Sequence, residues 1–166
     1  MKKYFTILLL FPFLQSCDPT LYQPGPPIVI DQPIVNTYEN LPGTQSELFV
    51  KANDWMISTF NNAKSVIQFS DKTEGTIIGK YLLYSNSQYK MQFLYGSSMP
   101  DAEIYAKIDI RVKDNKARIS IQPIDSWKYH KNPNFGVYYS KEEAISDMNA
   151  LCENFLKFLQ KESVKF

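Results

Sequence analysis

The single histidine of the chain, His130, stands in the stretch DSWKYHKNPN among an aspartate, a tryptophan and a tyrosine. Asp125 and a nearby serine would complete the side chains of a Ser-His-Asp relay. No G-x-S-x-G elbow is present, however, to hold a serine up as a nucleophile. Nor can one histidine make a zinc site, which draws on several His or Cys ligands at close spacing. Gly75 and Gly79 are too sparse to cradle a phosphate, and neither G-x-G-x-x-G nor a Walker pattern occurs. The adjacent carboxylates Glu142 and Glu143 fall where a helix begins, and its dipole already accounts for them. These residues imply no catalytic set, no metal and no cofactor.

Cysteine gives a firmer signal. Ahead of Cys17 lie Lys2 and Lys3 and then an apolar run from Tyr4 to Leu14, broken only by Thr6 and Pro12. The run is too short to span a bilayer, which takes roughly 20 apolar residues. A basic start with a short apolar stretch is the form of a secretory signal peptide. The usual small-residue cleavage site is missing, and Leu14-Gln15-Ser16-Cys17 instead resembles the bacterial lipobox. That resemblance implies a diacylglyceryl group on the Cys17 thiolate and cleavage after Ser16. The new amino terminus would be acylated in turn, as with palmitate. Residues 1–16 then form the lipoprotein signal peptide, and the mature protein is exported and anchored to a bacterial envelope membrane, preferentially the outer one. Two or three acyl chains hold stably where one is marginal. The other cysteine, Cys152, sits in the periodic apolar stretch ALCENFLKFL and reads as a small core residue.

Losing Lys2 and Lys3 takes the formal net charge from +1 to −1. So balanced a chain is not expected to bind nucleic acid, whose binding domains are strongly basic. Residues 17–33 hold prolines 19, 24, 26, 27 and 33 and read as an extended tether. In polyproline geometry it would reach about 50 Å from the bilayer; alternatively, PIVID docks on the body as an edge strand. Residues 34–166 are expected to form one domain, and 14% aromatic residues favour a packed body.

The elements that position any site follow from periodicity. IVNTY is a short strand, closed by the turn ENLPG. Thr44 and Glu47 fit a capping box ahead of Leu48, Ala52, Trp55, Met56, Thr59 and Phe60, which recur at helical spacing. SVIQFS and GTIIGKYLLYS flank the turn DKTEG. YKMQFLY puts Tyr89, Met91, Phe93 and Tyr95 on one face. EIYAKIDIRVKD alternates, with Ile104, Ala106, Ile108, Ile110 and Val112 inward. Asp114-Asn115 is a hairpin turn, and KARISIQ returns with Ala117, Ile119 and Ile121 inward. Such alternation belongs to antiparallel strands wet on one side. Ser140 and Glu143 make a second capping box, before a helix whose stripe is Ile145, Met148, Leu151, Cys152, Phe155, Phe158 and Leu159. One-sided strands covered by two amphipathic helices make a two-layer α+β sandwich.

That order, with the string SELFVKANDWMISTFNNAKSVIQFSDKTEGTIIGK and the later strand pair, resembles a Gram-negative lipoprotein family. The family carries a domain of unknown function with a TATA-binding-protein-like (TBP-like) fold. It implies a curved antiparallel sheet of five to six strands with two helices on one face, and no transferable site residues. The fold name itself says nothing of DNA.

Two surfaces remain as candidate sites. Lys90, Lys107, Arg111, Lys113, Lys116 and Arg118 point outward from the strands, against Asp109 alone. They could bind an anionic envelope polymer or lipid head group, or simply solvate the sheet and protect its edges. Trp127, Tyr129, His130 and Tyr138, with Phe135 and Tyr139, could form a glycan or peptide platform, or cap the open end of the core. The leading expectation is a membrane-anchored, non-catalytic module that binds an envelope protein, glycan or anionic polymer. Two alternatives stand beside it: a small hydrolase-like enzyme centred on the aromatic loop, and an assembly subunit that pairs through a sheet edge.

Overall fold

The computed structural model describes residues 26–60, 66–86, 102–130 and 136–161. The elements run β1 (Pro27–Ile28), β2 (Ile34–Tyr38), α1 (Gln45–Thr59), β3 (Ile67–Asp71), β4 (Thr76–Ser85), β5 (Glu103–Lys113), β6 (Lys116–Pro123), β7 (Trp127–Lys128) and α2 (Lys141–Gln160). Five of the strands form one antiparallel sheet in the order β2-β6-β5-β4-β3, and β1 pairs with β7 in a separate ribbon. This is the expected two-layer α+β sandwich. The expected strand YKMQFLY, with Lys90, lies outside the described residues, as do Cys17 and Phe135.

Both capping boxes form. Thr44 Oγ1 accepts from the Glu47 amide while Glu47 Oε2 accepts from the Thr44 amide at 2.8 Å. Ser140 and Glu143 do the same for α2, at 3.1 and 2.7 Å. Each box satisfies amides that a helix start leaves without partners. The Asp114-Asn115 turn adds to the first cap, because Asp114 Oδ1 accepts from the Gln45 amide at 2.7 Å. Asn115 takes a positive φ of 59° there, a conformation that asparagine tolerates better than most side chains.

Alternation along β5 and β6 holds throughout. Ile108, Ile110, Ile119 and Ile121 are completely buried beneath the helices. The α1 stripe includes Phe49 as well as Leu48, Ala52, Trp55 and Met56. The α2 stripe is narrower than its apolar content suggests. Ala144, Met148, Cys152, Phe155 and Leu159 are buried, while Ile145, Leu151 and Phe158 pack at its margins. Where the helices meet, the Trp55 ring stands edge-on to Phe155 at 4.8 Å, and Trp55 Nε1 donates to Asn154 Oδ1 at 2.8 Å. Lys51 Nζ donates to the carbonyls of Leu159 and Lys161, closing the C-terminal end of α2. Gly79 lets this layer settle, since a side chain there would collide with Met56.

Of the two readings of residues 17–33, the docked strand at PIVID is the one the pairing fits: Pro27 pairs with Lys128 and Ile28 with Trp127. Ile28 and Ile30 pack against the core, and Gln122 Nε2 donates to the Asp31 carbonyl at 3.2 Å. Proline at the start of a two-residue edge strand gives up no needed ladder bond, so the proline-rich stretch can dock.

Candidate anion-binding face

The helix-free side of the sheet is where the chain concentrates its strand cations. Their inward neighbours fix them there, since a residue beside a buried Ile in a strand must point the other way. Lys107, Arg111 and Lys113 project from β5, and Lys116 and Arg118 return beside them on β6. Register sets their company. Arg111 lies opposite Arg118 and Lys113 opposite Lys116. On the other flank Lys107 lies opposite Lys80 of β4. Three cross-strand positions therefore match like charge with like charge.

The counter-charges are few, with Asp109 in the middle of the face on the central strand and the others at its margins. Arg111 Nε meets Asp109 Oδ1 at 3.2 Å on its own strand. Lys116 Nζ bonds Glu39 Oε1 at 2.7 Å, and this hydrogen bond holds the Glu39 carboxyl below its ordinary range. Lys80 Nζ stands 4.2 Å above the Tyr105 ring. The Tyr105 hydroxyl donates to Glu103 Oε2 at 2.7 Å, which raises its own pKa. Among the described residues, Lys107, Lys113 and Arg118 form no ion pair.

Five of these cations were expected to point outward, and β5 and β6 leave them exposed; Lys80, Glu39 and Glu103 were not singled out in the sequence. The alternation of Ile77, Gly79 and Tyr81 as buried positions was the signal that Lys80 points outward. Apolar side chains share this face at its edges: Phe69 on β3, Leu82 on β4 and Val35 on β2 are exposed.

The aromatic stretch divides in two. Trp127 is buried, so it is not a ligand contact as its loop setting suggested. Its Nε1 donates to the Tyr139 carbonyl at 2.6 Å, and this bond makes burial of the indole affordable in hydrogen-bonding terms. Tyr139 is buried with it, stacked on Tyr84 at 4.7 Å, and its hydroxyl donates to Asp147 Oδ2 at 2.8 Å. Burial, then Asp147, pushes the Tyr139 phenol far above its ordinary range. Tyr129, His130 and Tyr138 stay at the surface. The Tyr129 and Tyr138 rings lie 5.7 Å apart, and the His130 amide donates to the Val137 carbonyl at 2.7 Å.

Cys152 is buried as expected. Burial pushes its thiol up, against a weaker opposing bond from Asn36, and its carbonyl accepts from the Tyr38 hydroxyl at 2.8 Å. Among the described residues no cluster of His, Cys, Asp and Glu is placed to hold a metal ion, and no helix is long and apolar enough to cross a membrane.

The fold and its open, charged sheet face define a two-layer α+β domain with two helices over a five-stranded antiparallel sheet. The chain belongs to the family described as Domain of unknown function (DUF4468) with TBP-like fold, whose model matches residues 40–127. A crystal structure of a DUF4468 family protein from Bacteroides ovatus ATCC 8483 is similar at 14% identity and a TM-score of 0.48. It covers 90% of this chain and 99% of its own. A TBP-like protein from Parabacteroides distasonis ATCC 8503 is similar at 16% identity and a TM-score of 0.47, covering 79% and 94%. No curated protein matches the chain.

Proposed function

We propose that this chain is a lipid-anchored envelope protein whose domain is a non-catalytic binding module, taking an anionic polymer on its open sheet face. The observation that carries the binding reading is the triple matching of like charges across adjacent strands. Like charges directly opposite destabilise a sheet, by roughly 0.2–1 kcal/mol per pair on the scale of cross-strand interactions. Solvation alone does not require that arrangement. Ser120, Gln122 and Thr76 occupy equivalent outward positions on the same strands without charge. A polyanion laid across β4, β5 and β6 would offset all three repulsions at once. The anchor reading is supported by the two lysines, the short apolar run and the lipobox-like LQSC.

Replacing Lys107, Arg111 and Arg118 together by Gln should lower the salt concentration at which the mature chain elutes from heparin or immobilised lipopolysaccharide. The attraction is electrostatic and fades as the Debye length shrinks to about 8 Å near 0.15 M salt. Co-elution of the triple variant with wild type sinks the binding reading. Mass spectrometry tests the anchor separately: Cys17 carries the lipid at the mature amino terminus, and Cys17→Ser abolishes processing. An intact Met1 in the native protein, or an unmodified terminus elsewhere, refutes it.

A further inference from the structure

We infer that the end of the domain carrying β1 and β7 rests against the interfacial layer of the bilayer that holds the anchor, with the cationic end of the sheet pointing away from it. This rests on the lipid-anchor reading of Cys17. The first argument is length. Pairing of Pro27 and Ile28 with β7 removes them from the tether. Residues 18–25 alone then separate Cys17 from the described body. At most ~3.3–3.6 Å per residue, the chain between Cys17 and Pro26 spans about 30 Å. A compact domain of this size is roughly 35–40 Å across. The tether is therefore shorter than the body it holds, and the β1–β7 end must be the near one.

The second argument is what that end displays. Val29 follows β1 directly and is 46% exposed, Ile124 precedes β7 and is 49% exposed, and Tyr138 is 36% exposed beside the Tyr129 ring. Lys128, exposed on β7, adds a positive charge. Aliphatic side chains with tyrosines suit the boundary between acyl chains and head groups, where an amphipathic ring keeps its hydroxyl wet. A basic residue at that depth meets anionic head groups. The surface that this end fits is thus the phospholipid interface itself.

The orientation bears on the cationic face. Pro123 pairs with Ala106 at the near end of the β5–β6 hairpin, and Lys113 pairs with Lys116 at the far end. At about 3.4 Å per residue, β5 carries Lys113 roughly 25 Å beyond Ala106. Arg111, Lys113, Lys116 and Arg118 are then presented to polymer in the space off the membrane. They are out of reach of the head groups of the anchoring bilayer.

The test uses the lipidated full-length mature protein in vesicles of phosphatidylethanolamine and phosphatidylglycerol. Spin labels are placed singly through Val29→Cys, Ile124→Cys and Lys116→Cys, all exposed positions. Labels at 29 and 124 should collide several-fold less often with a water-soluble nickel chelate than the same labels on the unlipidated chain of residues 18–166 free in buffer, while the label at 116 should be unchanged. Introducing Val29→Asp with Ile124→Asp should restore collisions to a label at Tyr138→Cys. Equal accessibility of all three sites in vesicles overturns the orientation, as does selective protection at 116, which would put the cationic end on the head groups. An unacylated Cys17, read by mass from the same preparation, overturns the anchor reading itself and the orientation with it.

Discussion

Arg118→Gln should make this protein more stable, and the sign is the informative part. Arg118 is exposed and lies directly opposite Arg111, whose own charge is partly met by Asp109. Two unit charges ~7 Å apart in a water-like dielectric repel by about 0.6 kcal/mol. That agrees with the ~0.2–1 kcal/mol attributed to charged cross-strand pairs. Gln keeps part of the aliphatic stem, so little packing is lost with the charge. A gain of a few tenths of a kcal/mol corresponds to about 1–2 °C in Tm for a chain of this length. Thermal melts at low ionic strength should show it. At ~1 M salt, where the Debye length is about 3 Å, the gain should vanish. Saturating heparin should reverse the order, because the bound polyanion stabilises wild type more than the variant. A variant less stable than wild type at low salt, or a difference indifferent to salt, refutes the claim that these cations are held against mutual repulsion.

Phe155 is completely buried between Trp55 and Tyr38, so Phe155→Ala should cost about 3–5 kcal/mol in urea melts. Glu153→Ala, exposed on the other side of α2, should stay within about 0.5 kcal/mol, and equal effects would overturn the helical register. Burial raises the Tyr38 phenol to about 12 and lifts Tyr81 and Tyr139 further. With unfolded values near ~10, their neutral forms stabilise the fold fully below that pH. The stability is lost as pH climbs through about 12. Tyrosinate absorbance should therefore rise in two phases, the second coinciding with loss of the far-ultraviolet circular dichroism. A single phase near pH ~10 with the fold intact would contradict the burial of these phenols.

Helices and faces were legible in the sequence because local rules set them. Capping boxes at Thr44 and Ser140 mark starts that periodicity then extends, and alternation in β5 assigns each side chain a side. The hairpin was legible even to its register: a two-residue turn at Asp114-Asn115 dictates that Lys113 meets Lys116 and Arg111 meets Arg118. Lys80 was not, because β4 joins β5 through a long connection and its register shifts between Leu82 and Tyr84. Alternation names a face and says nothing of the neighbour on it. Trp127 failed for another reason. Whether an indole in a loop is buried depends on its N–H finding an acceptor, and here the acceptor is the Tyr139 carbonyl on the far side of the same loop. The docking of Pro27 and Ile28 was legible only as an alternative to a free tether, because composition does not show the partner strand. Asn154 looks like a surface residue, yet it accepts the hydrogen of the fully buried Trp55.

The place of β2 in the sheet has a kinetic consequence. Strands β3 to β6 neighbour one another in chain order, whereas β2 must wait to pair with β6, Ile34 meeting Ile121 and Tyr38 meeting Ala117. Its contact with α2, through the Tyr38 hydroxyl and the Cys152 carbonyl, spans 114 positions. Closing so long a loop is entropically slow, so the meander and its helices should form ahead of β2. Until β2 arrives, β6 presents an open row of hydrogen-bonding groups, and a second copy of the chain could add to it. Substitutions in β2 should accordingly speed unfolding more than they slow folding. The interval before that strand docks is when this protein is most exposed to pairing with its own kind.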